Sequence, residues 1–114
     1  MRTTLAAFLL LTVTAAIHAA SPPETVLVTY RAKAGSETQV ETLVRKQWAT
    51  LQRLELVTHE THVLVRDHAT FTEVFTWRSA DIPDAPPAEV TAIWGEMGKV
   101  TEKIEIREVT RVGD

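Results

Sequence analysis

The chain has 114 residues, of which 45% are apolar and 24% are charged. These values are typical of one ordinary globular domain and exclude a disordered tail or a membrane bundle. The formal net charge is −3 and no basic stripe is interleaved with aromatic residues, so we expect no nucleic-acid partner.

The first twenty residues differ in composition from the rest of the chain. Arg2 gives them a positive start, residues 5–17 are nearly all apolar, and Ala19 and Ala20 end the segment with small side chains. This order predicts a signal peptide over residues 1–20, cleaved after Ala19 or Ala20, and an exported protein that is periplasmic or secreted. An uncleaved anchor is the alternative, but the apolar run of about 13 residues is shorter than the roughly 20 that span a bilayer. After cleavage we expect no contact with a membrane.

The absence of cysteine limits how so small a domain can be stabilised. The sequence contains no Cys, which excludes a thiol nucleophile, a thiolate metal site and any disulfide. The segment that remains after cleavage is small enough to be marginally stable alone. We therefore expect the protein to be its own partner, as a homodimer.

The first half of the mature chain reads as a strand followed by a helix. Residues 21–24 form a proline-containing linker, and the alternating residues 25–31 predict a strand. Ser36 and Gln39 have the spacing of a capping box, which predicts a helix start. The apolar residues that follow recur every three or four positions and predict an amphipathic helix of about 20 residues; they are Val40, Leu43, Val44, Trp48, Leu51 and Leu54.

A β-hairpin is predicted next, by two alternating segments that flank a polar turn at residues 67–69. The first segment begins at Thr61 and the second at Phe71. If the turn has an even length, His62 lies on the same sheet face as Phe71, Glu73 and Phe75, whereas a three-residue turn reverses this pairing. The sequence leaves both alternatives open.

A loop, a second helix and a fourth strand complete the pattern. Residues 78–87 contain three prolines and predict a loop, and loops of this kind often border a site or an interface. The following helix, over residues 88–103, contains Gly95 and Gly98, so we expect close packing to compensate for the two glycines. Its apolar stripe comprises Val90, Ile93, Trp94, Met97 and Val100. Residues 104–109 alternate as a strand, and residues 111–114 form a tail that should fray.

The order strand, helix, strand, strand, helix, strand predicts an α+β domain with a ferredoxin-like fold over residues 25–110. In this fold, a four-stranded antiparallel sheet carries two helices on one face. We expect large apolar or aromatic side chains on the other face as well. A second copy of the sheet would cover them and form a dimeric α/β barrel.

From Thr25 to Val109 the chain resembles the dimeric α/β-barrel superfamily and, within it, the antibiotic biosynthesis monooxygenase-like group. The resemblance rests on the strand VLVTYRAKAG leading into the long helix, and on the VLVRD turn followed by the segment from Phe71 to Trp77. It implies binding of a small hydrophobic or aromatic molecule between sheet and helices. The alternative that it implies is a cofactor-independent monooxygenase acting on an aromatic, polyketide-like substrate.

The chain departs from this group at three points. The group often has an acidic residue where this chain has Phe75, and a histidine on the second helix, where this chain has Trp94. The haem-degrading members share an Asn, Trp and His set, and this sequence contains no Asn. We therefore expect no haem and no other cofactor.

His62 and Glu73 are the best candidates for catalytic residues, because a carboxylate can orient a neighbouring imidazole as an acid or base. The alternative is a polar pair at a dimer seam. His59 and His62 lack the spacing of a zinc-binding helix, so no metal site is expected. The candidates for ligand binding are the aromatic residues of strands and second helix, which could equally be core: Tyr30, Phe71, Phe75, Trp77 and Trp94.

Overall fold

The computed structural model describes residues 21–113, which form one sheet with two helices packed on it. The strands are β1 (Glu24–Ala32), β2 (Val63–Asp67), β3 (Thr70–Trp77) and β4 (Thr101–Glu108), and the helices are α1 (Glu37–Arg53) and α2 (Ala88–Val100). The strand order is β2-β3-β1-β4, and every neighbouring pair is antiparallel. This arrangement confirms the predicted α+β, ferredoxin-like fold. The predicted signal peptide, residues 1–20, lies outside the described residues.

Between residues 21 and 113, neither helix has both the length and the apolar character that crossing a membrane requires.

The hairpin between β2 and β3 has an even-length turn of two residues, His68 and Ala69. Asp67 pairs with Thr70 on either side of it, and Leu64 pairs with Glu73 further along. His68 has a φ of 54°, the left-handed conformation that tight hairpin turns commonly need. The even-length alternative is therefore correct, and His62 shares a face with Glu73.

Two strand boundaries differ from the prediction because of backbone pairing elsewhere. The Thr58 amide donates to the Thr76 carbonyl at 3.0 Å, so the chain before β2 first pairs with the end of β3. It then leaves the sheet, and β2 begins only at Val63. At the other boundary, Thr101 pairs with Ala32, which ends α2 at Val100 and starts β4 three residues before the predicted position.

Both helices pack on the sheet face that carries Tyr30, Phe71 and Phe75. The buried residues of the predicted helical stripes all face this side, which confirms both stripes; they are Val40, Val44 and Leu51 of α1 with Val90, Ile93 and Met97 of α2. Two buried residues of α1, Gln47 and Thr50, are polar and are not among the predicted core residues.

Two local expectations about the helices are wrong. Ser36 occupies the N-cap position of α1, but its side chain makes no capping hydrogen bond; the Glu37 carboxylate instead accepts from the Gly35 amide at 3.2 Å. In α2, a Cβ added at Gly95 or Gly98 would meet nothing within 4 Å. The two glycines therefore face open space and do not allow a close approach.

The sheet face opposite the helices carries apolar side chains, as predicted, but they are aliphatic, and among the described strands this face has no aromatic side chain. Its central row runs from Val63 through Val74 and Leu27 to Arg107. The neighbouring row begins with Val65, which is 57% exposed. The face therefore carries threonine and aliphatic residues, with charged residues such as Glu105 and Arg107 on the edge strand β4. The aromatic residues of the strands all lie beneath the helices.

The segment after β4 is anchored at Arg111 rather than frayed. The Arg111 guanidinium lies 2.6 Å from the Glu60 carboxylate and donates to the Thr61 carbonyl at 2.9 Å. It also donates to the Thr76 hydroxyl at 3.2 Å. Thr76 belongs to the open face, so the tail crosses one end of that face and covers it.

Candidate functional site

A buried carboxylate, that of Glu73, lies in the middle of the sheet face that the helices cover. It is 0% exposed, and burying an unpaired carboxylate would cost several kcal/mol. Its Oε1 accepts from the Tyr30 hydroxyl at 2.7 Å and from the Gln47 side-chain amide at 3.2 Å. The Nε2 atom of His62 lies 2.8 Å from its Oε2. The structure thus brings together the two predicted catalytic candidates, and adds Tyr30 and Gln47.

Four different elements position these side chains. Glu73 pairs with Val28 across β3 and β1, which places the Tyr30 side chain, two residues further along β1, diagonally beside it. Gln47 follows Val44 by three residues and precedes Leu51 by four, so α1 turns it toward the sheet. His62 immediately precedes β2 and continues its alternation.

The orientation of the Gln47 amide is determined by Trp94 on α2. The Trp94 indole nitrogen donates to Gln47 Oε1 at 2.6 Å, and an indole N–H cannot accept a hydrogen bond. The amide oxygen therefore faces Trp94, and the NH2 group faces Tyr30 and Glu73. The NH2 group donates to the Tyr30 hydroxyl oxygen at 3.1 Å.

His62 connects this cluster to solvent. Its ring stacks on Trp48 with centroids 4.0 Å apart and planes inclined by 8°, and its side chain is 16% exposed. One proton lies between His62 Nε2 and Glu73 Oε2, whichever of the two carries it. Throughout residues 21–113, every buried side-chain nitrogen and oxygen has a hydrogen-bond partner.

The environment of Tyr30 raises the pKa of its hydroxyl well above the ordinary value of 10.0. Burial is the largest cause, since it disfavours the charged phenolate. The neighbouring Glu73 raises the pKa further, by its charge and by accepting the hydroxyl hydrogen, while the bond from Gln47 acts in the opposite direction. Tyr30 is therefore a neutral hydrogen-bond donor over the ordinary pH range.

An apolar cavity of about 300 Å³ lies beside the cluster, between the sheet and the helices. Tyr30 and Gln47 border it, whereas Glu73 and His62 do not. Its lining residues are Glu24, Val26, Val28, Tyr30, Gln47, Phe75, Trp77, Pro83, Trp94, Met97, Ile104 and Ile106. Glu73 and His62 are thus linked to the cavity through Tyr30 and Gln47.

Four of the five aromatic residues predicted to bind a ligand border this cavity, and three of them form a continuous wall. Phe75 and Trp77 meet edge to face with centroids 5.0 Å apart, and Trp77 meets Trp94 in the same manner at 6.4 Å. Phe71 is the exception. It lies nearer the hairpin turn, is 1% exposed, and has the Arg66 guanidinium 5.1 Å from its ring centroid.

Gln47 is the site residue that sequence reasoning missed. The available signal was a polar residue within the apolar stripe of α1, at core spacing from Val44 and Leu51. Within residues 21–113, no three His, Asp or Glu side chains converge as a set of metal ligands.

Titration of the single tyrosine of the chain tests the environment of the site. In the folded protein, tyrosinate absorbance should appear only at pH values well above the 10.0 expected in denaturant. Because the pKa of Tyr30 is higher in the folded state, the protonated hydroxyl contributes to the stability of the fold. This contribution is complete below the pKa of the unfolded chain and is lost as pH rises through the pKa of the folded protein. Replacing Glu73 with Leu should lower the Tyr30 pKa toward normal, since only burial then raises it. An ordinary titration of the folded wild-type protein would contradict the buried Tyr30–Glu73 bond.

Neither a protein-family model nor a curated protein matches this sequence, but solved structures share its fold. SnoaB from Streptomyces nogalater, a cofactor-independent oxygenase, superposes with a TM-score of 0.67 at 12% identity, covering 82% of this chain and 97% of SnoaB. An antibiotic biosynthesis monooxygenase superposes with a TM-score of 0.63 at 14% identity, covering 78% of this chain and 98% of the other. A conserved protein of unknown function from Bacteroides thetaiotaomicron gives 0.64 at 17% identity, covering 79% of this chain and 100% of the other. The described chain therefore shares the fold of these proteins.

Proposed function

We propose that this protein is an exported homodimer that binds a small hydrophobic or aromatic molecule in the cavity between sheet and helices. The observation that carries the proposal is the cavity of about 300 Å³ with its aromatic wall. Ligand pockets are typically lined by apolar and aromatic side chains with a few polar groups that orient the ligand. Tyr30 and Gln47 are two such polar groups of the lining, and both are held by further buried hydrogen bonds.

The size and shape of the cavity favour a compact, flat ligand. A volume of about 300 Å³ is at the lower end of the usual range for ligand pockets. Trp77 and Trp94 present aromatic surface to the ligand, and Met97 adapts to irregular shapes because it is unbranched. Ile106 also borders the cavity but is 67% exposed, which places the entrance along β4.

Filling the cavity should weaken binding. Val28 borders the cavity from the centre of β1, and Val28→Phe would put a ring into the space that the ligand needs. We expect a wild-type complex with indene, a small apolar bicyclic molecule, and a Kd at least about tenfold higher for this variant, equivalent to 1.4 kcal/mol. Chemical-shift titration by NMR measures the Kd of the wild-type protein and that of the variant.

The matched control is Val112→Phe, which adds the same ring at a residue that is 94% exposed. It should bind indene as the wild type does. Equal affinities for all three proteins would mean that indene does not enter this cavity, and the absence of any wild-type binding would count against the proposed function.

A cofactor-independent monooxygenase is the second candidate function. The specific observation in its favour is the hydrogen-bonded chain from Tyr30 at the cavity through Glu73 to the partly exposed His62, which offers a route for a substrate proton. In such a reaction, a CH2 group that an aromatic system activates loses two hydrogens. Dioxygen is the oxidant; one oxygen atom becomes the product carbonyl, and the other leaves as water.

Oxygen uptake with an anthrone tests this second function. If the hydrogen-bonded residues carry the substrate proton, His62→Leu and Glu73→Leu should each lower the rate of oxygen uptake by at least about a hundredfold. This is the lower end of the usual contribution of acid–base groups. The control is His68→Asn, in the exposed turn, where Asn tolerates the positive φ. Anthrone binding without oxygen uptake would reject the monooxygenase and leave the binding function.

The proposed dimer is supported by the open sheet face and by the lack of cysteine. Val63 and Val65 are 39% and 57% exposed on that face, and exposed apolar surface of this kind often marks an interface.

Light scattering should give twice the mass that mass spectrometry assigns to the chain. The mass of the chain should in turn reflect the loss of residues 1–19 or 1–20. Val65→Glu should shift the protein toward monomer, whereas Val112→Glu should not. A wild-type monomer at all concentrations would exclude the dimer, and a full-length chain mass would exclude cleavage.

A further inference from the structure

We propose that the cavity selects aromatic amines, whose protonated amino group lies beside the Glu24 carboxylate, over aromatic carboxylates of the same shape. The inference rests on the proposed binding function and adds to it the charge of the ligand. It follows from the charges of the residues that border the cavity and from the place of Glu24 on β1.

Among the described residues that border the cavity, Glu24 is the one with a charged side chain. The rest of the lining is apolar or aromatic apart from the amide of Gln47, and it includes no lysine, arginine or histidine. The Tyr30 hydroxyl has a raised pKa and stays neutral over the ordinary pH range. The lining therefore contains one carboxylate and no cation.

The alternation of β1 directs the Glu24 side chain toward the cavity. Glu24 is two residues from Val26 and four from Val28, so the three side chains share one face of the sheet. All three residues border the cavity. Across β3, Glu24 pairs directly with Trp77, which belongs to the aromatic wall. Glu24 therefore lies at the Trp77 end of the cavity.

Within residues 21–113, Glu24 has no cationic partner. It takes part in none of the ion pairs found among these residues. Arg78 follows Trp77 in the chain, but its side chain is exposed and borders a separate surface groove around His59. A cationic ligand would therefore not compete with a protein cation for the Glu24 carboxylate.

Strand β4 adds a second carboxylate near the same end of the cavity. Glu108 pairs with Val26, which borders the cavity. It is two residues from Ile106 at the entrance, so both side chains are on the same face of the sheet. Arg107, between them in the sequence, is on the opposite face. A charged ligand that enters along β4 therefore meets negative charge, which attracts a cation and repels an anion.

The apolar surroundings make this difference in charge effective. Two charges interact more strongly beside a protein than in bulk water, because the effective dielectric constant is lower. The interaction extends over several ångströms, so it does not require one particular rotamer of Glu24. An ammonium that lies over the face of an indole ring gains further attraction. A carboxylate, in contrast, would lose water in the cavity without a cation to replace it.

Three ligands with one bicyclic frame test the inference by NMR titration: at neutral pH, 2-aminoindane is a cation, indane is uncharged and indane-2-carboxylate is an anion. The wild-type protein should bind 2-aminoindane about tenfold more tightly than indane-2-carboxylate. Val28→Phe should weaken the binding of 2-aminoindane, because the added ring occupies the same cavity. Unchanged binding to this variant would place the amine outside the cavity and overturn the inference.

Two substitutions of Glu24 test whether its charge sets the preference. Glu24→Gln removes the charge and nearly keeps the shape, and it should lower the preference for the amine by at least about threefold, as expected for a partly exposed charge pair. Glu24→Lys should lower it further, so that indane-2-carboxylate binds at least as tightly as 2-aminoindane. Glu24 is the first residue of β1 and is partly exposed, so we expect both variants to fold.

The matched control is Glu96→Gln, which removes the same charge from an exposed position of α2 that does not border the cavity. It should keep the wild-type preference. A loss of preference in this control equal to that in Glu24→Gln would mean that the overall charge of the protein, and not Glu24, distinguishes the ligands, and this would overturn the inference.

The outcomes separate this inference from the function on which it rests. If the wild-type protein binds indane but binds the two charged ligands equally, or prefers the carboxylate, the charge selectivity is wrong while the cavity still binds ligands. If Glu24→Gln keeps the wild-type preference, the Glu24 carboxylate does not hold the amine. If none of the three ligands binds, the proposed binding function fails together with the inference.

Discussion

The burial of the Glu73 carboxylate is the constraint on which the rest of this structure depends. A carboxyl group with 0% exposure is tolerated in a folded protein only if its oxygens have hydrogen-bond partners. Its three hydrogen-bond partners come from different elements: Tyr30 from β1, Gln47 from α1 and His62 from the segment before β2. The carboxylate therefore ties the sheet to α1, and any displacement of these elements would leave it without partners.

The sequence was sufficient for the fold and for one pair of site residues, because both depend on short-range periodicity. The alternation of β3 places Phe71, Glu73 and Phe75 on one face, and the alternation of β2 does the same for His62. Only the turn length was undetermined. His68 takes the positive φ of that turn. Histidine is enriched at positive φ relative to most residues, but it is a weaker turn signal than Gly, Asn or Asp.

The remaining features depend on packing between distant segments, which periodicity does not determine. An alternating strand shows that its two faces differ, but it does not show which face the helices cover. For this reason large apolar or aromatic side chains are expected on the other face as well, whereas the aromatic residues of the strands lie only beneath the helices. Gln47 and Trp94 are 47 residues apart, and their hydrogen bond depends on how the two helices are placed on the sheet. Phe71 likewise shares the correct face but lies beyond the cavity.

The same hydrogen bonds explain how an apolar cavity of about 300 Å³ can persist in a small domain. Protein interiors are close-packed, and side chains normally collapse into empty space. Here Tyr30, Gln47 and Trp94 border the space but are held by bonds to one another and to Glu73, so moving into the cavity would break buried hydrogen bonds. The Gln47–Trp94 bond also joins α1 to α2 across the top of the cavity. The polar cluster therefore couples the stability of the fold to the persistence of the cavity.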